Sequence, residues 1–174
     1  MQLHQELGPL RTTVTAIADR AGVERLTVYR HFPDEHALHT ACQAHFFSVN
    51  PPPDPASWTL VSDFDERVRI ALTDIYAYWE RIQQMAATLL RDNQIDPQRA
   101  GAGIVAFIAR SREAILTGRP GRGARSRLTR AAVGHAVHYS TWRSLVVDGG
   151  LTNTQAATLM TEFVARTVPA ERPR

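Results

Sequence analysis

A dense group of reactive side chains lies near the N-terminus, where Arg25, Leu26, Thr27, Tyr29, Arg30 and His31 crowd together. On a helix they fall opposite Val28 and Phe32, whose i and i+4 spacing marks an inward face. Such a set suits a polyanion with readable edges. Arginine can grip guanine O6 and N7, leucine can meet a thymine methyl, and hydroxyls or an imidazole N–H can anchor phosphate oxygens. A second group, His36, His39, Cys42 and His45, has metal-ligand types at a spacing of three. Each such step on a helix falls about 60° short of a full turn, so His36 and His45 end on opposite faces. Surface histidines around a packed Cys42 are the expected reading, with no metal.

Other chemistries are excluded by residue type. All 20 basic residues are arginine, and without lysine there is neither a Walker A phosphate loop nor a Schiff-base amine. No Gly-x-Ser-x-Gly elbow, His-Glu-x-x-His pair or Gly-x-Gly-x-x-Gly loop is present. We therefore expect no catalytic residues, no cofactor and no enzyme activity. Cys42 is the sole cysteine, which rules out an intrachain disulfide. The longest apolar run, Ile104 to Ala109, is far below the roughly 20 residues needed to span a bilayer. A cytoplasmic chain without a membrane partner is expected. The net charge of +3 hints at nucleic acid, yet residues 1–49 carry four arginines against five acids. The excess lies in 110–130, with seven arginines and only Glu113 opposing them. Local motif, not overall charge, carries the reading.

The elements that must position the first group are helices. Apolar residues recur at intervals of three and four, and period-two alternation is hard to find, so an all-α fold is expected. Thr13 can cap a helix from Val14 to about Ala21, with Val14, Ile17, Ala18 and Ala21 as its apolar stripe. Gly22 supplies a turn, Val23 is expected to plug the angle between helices, and a second helix runs from about Glu24 to Phe32. The prolines of 51–55 hold an extended link, which places a boundary between a head at 1–49 and a helical body at 56–174. In the body, 63–91 reads as one long helix and a shorter successor, followed by helices at 100–116, 128–147 and 154–168. The arginine-rich stretch 118–130 reads as a solvated linker.

The run Thr12-Thr13-Val14-Thr15-Ala16-Ile17-Ala18-Asp19-Arg20-Ala21-Gly22-Val23, followed by Thr27-Val28-Tyr29-Arg30-His31-Phe32-Pro33, resembles the TetR/AcrR repressor family. A second stretch, Thr141 to Val146 with Gly149-Gly150-Leu151-Thr152 and Ala156-Ala157, resembles the last two helices of that family. The resemblance implies a DNA-contacting set of Thr13, Thr15, Arg25, Leu26, Thr27, Tyr29, Arg30 and His31. In it Thr27, Tyr29 and His31 would hold phosphates, Thr13 and its helix start another, and Arg25 and Leu26 would face base edges. Packing beside Phe32 is the lesser alternative for Tyr29, and both roles could hold together. The chain departs from the family pattern at Leu26, Glu24 and Glu35, where a small residue, a serine and a lysine are common. Two acids near the phosphate line predict modest affinity. Met1 to Leu7 cover only the last turns of the family's first helix, so the natural start is expected upstream.

The resemblance also implies a homodimer on double-stranded operator DNA, with Trp142, Leu145, Leu159 and Phe163 packing against their copies as a four-helix bundle. It implies a repressor that leaves DNA when a small molecule, which the sequence does not name, enters the body. Tyr76, Trp79, Met85, Phe107, His138, Tyr139 and Trp142 are the candidates to line that cavity, although aromatics at helical spacing are more often core than pocket, and core is the expected role for most of them. The alternative is a helical enzyme, or a small-molecule or metal-binding protein, whose N-terminal motif no longer binds DNA.

Overall fold

The computed structural model describes residues 2–97, 100–118 and 124–167, with the backbone alone for Ala124 and Arg125. Among these residues there are ten α-helices and no strand. They are α1 (Gln2–Leu7), α2 (Val14–Ala21), α3 (Arg25–His31), α4 (Glu35–Val49), α5 (Pro55–Trp58), α6 (Phe64–Ile95), α7 (Ala102–Leu116), α8 (Ala124–Ala136), α9 (Tyr139–Trp142) and α10 (Asn153–Ala165). The chain forms two compact units.

The first unit comprises Met1–Pro51 and Ile82–Ala106. Its N-terminal helices have a small core of Val14, Ala18, Val28 and Leu38, with Ile17, Phe32 and Cys42 packed against it. Ala21, expected in the stripe, is exposed. Val23 is 41% exposed and does not plug the helix pair. Val28, Leu38 and Phe32 fill that volume instead, because α4 supplies a third apolar face. A buried carboxylate ties distant parts of this unit together. Asp92 accepts the Leu10 N–H at 3.0 Å and the Arg91 guanidinium at 2.8 and 2.9 Å, while Arg91 also donates to the Leu7 carbonyl.

The second unit comprises Pro52–Arg81 and Phe107–Arg174. Asp54 caps α5 through the Ala56 N–H, with Pro55 in the first turn where its missing N–H costs nothing. The proline stretch therefore ends in a short helix and is not extended throughout. Buried Arg67 binds the carbonyls of Val61, Ile115 and Thr117. The core is aromatic: Trp79 meets Phe107 and Tyr139 edge-on, and Tyr139 lies 5.4 Å from Trp142.

The stretch expected as one long helix and a shorter successor is α6, whose two parts meet at a kink where Ile82 leaves helical geometry at φ −111° and ψ 15°. One segment differs from expectation. The segment expected as a single helix at 128–147 is instead α8, α9 and a π-helical turn at Arg143–Asp148. The break falls at His138, whose extended backbone and Nδ1, accepting from the Ser140 N–H, start α9 afresh. Part of the expected arginine linker is also helical, since α8 begins at Ala124 and its Arg130 pairs with Glu113 at 2.9 Å. The rest of that stretch, residues 119–123, and Val168 at the end of the last expected helix lie outside the described residues.

Candidate nucleic-acid interface

The interface is built on two short helices fixed by their ends. Thr13 accepts the Ala16 N–H at 3.1 Å and so starts α2. Gly22 closes it at φ 67°, a left-handed conformation that penalises any side chain, and its N–H returns to the α2 carbonyls. Glu24 then opens α3 from extended backbone without a side-chain cap. Arg20 extends from α2 to Glu6 and Gln2 of α1 at 3.2 Å each. Asp34 caps α4 through the Ala37 N–H.

With Val28 turned into the core, α3 shows solvent the residues that the sequence singled out. Arg25, Arg30 and His31 are exposed, and Leu26 is 68% exposed despite being apolar. Tyr29 is 37% exposed, with the Arg25 guanidinium 6.0 Å from its ring centre, at the limit of cation–π range. Thr27 is half-buried, and Thr13 and Thr15 are exposed on α2. The outward face of α3 thus carries Arg25, Tyr29, Arg30 and His31 as donors and Leu26 as an aliphatic tip, side-chain types that base and phosphate contacts use.

A capped helix, a glycine turn and a second helix with an outward cationic and aromatic face define a helix-turn-helix DNA-binding protein. Residues 1–42 match the family model described as bacterial regulatory proteins, tetR family, which supports a DNA-binding transcription regulator. No curated protein matches the chain.

The remaining expected site residues separate into two groups. Tyr76, Trp79, Phe107, His138, Tyr139 and Trp142 belong to the second unit, whereas Met85 belongs to the first. The polar tips of the large aromatics are already engaged. The Tyr76 hydroxyl donates to the Ala136 carbonyl, Trp79 Nε1 to the Val137 carbonyl, and Trp142 Nε1 to Asn153 Oδ1, while Asn153 Nδ2 donates to the Glu80 carboxylate. Burial pushes the Tyr76 phenol well above its ordinary range and, together with His135, pulls the His138 imidazole down. Of the residues expected at a dimer face, Trp142 is buried within its own chain and Leu145 half-buried, while Leu159 and Phe163 are 46% and 45% exposed. Among the described residues no three histidine, cysteine or acidic side chains gather to hold a metal ion, and no helix is long and apolar enough to cross a membrane.

Sequence reasoning gave His4 no role. It is 6% exposed on α1, 5.6 Å from the His39 ring, and burial followed by His39 lowers its pKa to about 4. Its carbonyl accepts from Thr88 Oγ1. A histidine in a six-residue helix gives no local sign of contacts more than 80 residues away.

Proposed function

We propose that the chain is a ligand-responsive dimeric repressor working in the cytoplasm, where the chromosome is. Residues 1–49 would read DNA, and residues 56–174 would dimerise and bind the effector. The observation that carries the DNA-reading role is the outward face of α3, where Arg25 and the strongly exposed Leu26 share a surface with Tyr29 and His31. Arg25 and Leu26 take the base edges, while Thr13, Thr15, Thr27, Tyr29, Arg30 and His31 take the phosphates.

The support for a dimer is the pair Leu159 and Phe163, exposed at i and i+4 on α10, with Leu145 nearby in sequence terms on the π-helical turn. A two-fold dimer would place its reading helices about 34–36 Å apart on a nearly palindromic site. The support for a ligand in the body is its aromatic cluster around Trp79, rich in ring edges. Such a ligand releases DNA only by binding the DNA-incompetent state more tightly, because equal affinity for both states shifts nothing. The test is selection of fragments from the native genome by the full chain across a salt series. Retention of one palindromic class, falling steeply with salt, is expected. Failure to retain any duplex at low salt would overturn the reading.

A further inference from the structure

Residues 8–12 link α1 to α2, and contacts from far along the chain order them. Gly8 stands at φ 89°, in the left-handed region, and a Cβ there would overlap both Asp92 Oδ2 and the Arg91 guanidinium. Those two groups of α6 fasten the link: the buried Asp92 carboxylate accepts the Leu10 N–H at 3.0 Å, and Arg91 donates to the Leu7 carbonyl at 2.9 Å. Within the link, Thr12 donates its hydroxyl to the Gly8 carbonyl at 2.8 Å and its N–H to the Pro9 carbonyl, closing a 3₁₀ turn over Pro9–Arg11. Gly8, Pro9 and Thr12 are buried and Leu10 is half-buried, which leaves Arg11 as the exposed residue of the five.

The arginines of the head separate by their surroundings. Of the four in residues 1–49, Arg20 is paired with Glu6 at 3.2 Å, and Arg25 and Arg30 belong to the outward face of α3. Arg11 is the fourth. Among the described residues its side chain has no ion pair, hydrogen bond or ring contact. Its backbone is already fixed, so a partner that engages the guanidinium costs only side-chain freedom. Its place in the chain names that partner. Thr13, two residues on, starts α2 and takes a phosphate in the reading proposed above. Consecutive Cα atoms lie about 3.8 Å apart, so Arg11 and Thr13 are within about 8 Å of each other. Each DNA strand presents a phosphate about every 3.4 Å of its axis. A phosphate that meets Thr13 therefore lies, with its neighbours on the strand, within reach of the Arg11 guanidinium, whose planar fork can bond two phosphate oxygens at once.

We propose that Arg11 is a further phosphate contact of the reading head. It supplies a cation on the α2 side, where Thr13 and Thr15 offer only hydroxyls. The contact carries no base information, and it rests on the DNA-reading role proposed above.

The test is binding of the full chain to a mixed-sequence DNA duplex across a salt series, because phosphate contacts govern affinity for any sequence. Arg11→Ala is expected to weaken binding about tenfold per reading head at roughly 0.1 M salt and to make the slope of log affinity against log salt shallower by about one per head. Arg11→Lys should restore the slope, which counts charges, and the affinity only in part, since an ammonium lacks the fork. Arg11 is exposed and unpaired, so thermal melting should be the same in all three chains. Arg110→Ala, an exposed arginine of the second unit, makes the same change in net charge and should leave affinity and slope alone. Binding by the natural chain with an unchanged slope in Arg11→Ala, or an equal loss in Arg110→Ala, would overturn the contact while leaving the DNA-reading role in place. A natural chain that retains no duplex at low salt would overturn both.

Discussion

Arg25 and Tyr29 stand one turn apart on α3, and the proposed reading, which gives Arg25 a base edge and Tyr29 a phosphate, expects different signatures from their substitutions. Arg25→Ala is expected to relax base preference at one position, at about 1–3 kcal/mol for a lost bidentate contact. Tyr29→Phe should weaken all duplexes alike, since a phosphate contact carries no sequence. Competition binding with single-base operator variants separates the two outcomes, and an unchanged preference in Arg25→Ala would remove its assigned role. His4 gives a second residue-scale prediction. Its pKa is about 4 in the folded chain against an ordinary 6.5, so the unfolded state binds more protons between those values. Stability should therefore be fully present above about pH 6.5 and fall as pH drops toward 4, by about 3 kcal/mol. His4→Phe should flatten that part of the urea-midpoint profile. Arg25 and Tyr29 were legible in the sequence because a helical face needs only local periodicity. His4 was not, because its environment comes from residues such as His39 and Thr88 that only folding brings near.

The elements of the head are specified by their ends more than by their interiors. Thr13 caps α2 and Asp34 caps α4, each through a hydrogen bond to a backbone N–H three residues on, and Gly22 ends α2 in the left-handed region. Thr13→Ala is expected to cost about 1 kcal/mol, measured as a lower denaturation midpoint with an unchanged slope. These signals were readable because a cap is a short-range contact. The fate of Val23 was not, since whether it fills the angle beside the turn depends on what α4 already places there. The same contrast holds in the body. Helical periodicity continues through 128–147, yet His138 breaks it by capping α9 with its own ring nitrogen. A break at His138 lacks the glycine or proline that would announce it.

At the scale of the whole molecule, the proposed dimer rests on exposed apolar residues of α10. Phe163→Glu should yield a folded monomer, seen by sedimentation, whose operator affinity falls because two half-sites can no longer be held at once. A dimer that survives this change would place the interface elsewhere. Sequence by itself determined the all-α class, the two-helix reading head and its exposed chemistry, because caps, glycine turns and 3.6-residue periodicity act within a few positions of one another. Tertiary structure alone decided that 82–106 belongs to the same compact unit as the N-terminal helices, that Met85 parts company with the other expected pocket residues, and that a buried neutral histidine lines a cavity there. Those outcomes depend on side chains far apart in the chain competing for one volume, and no local pattern records which of them will occupy it.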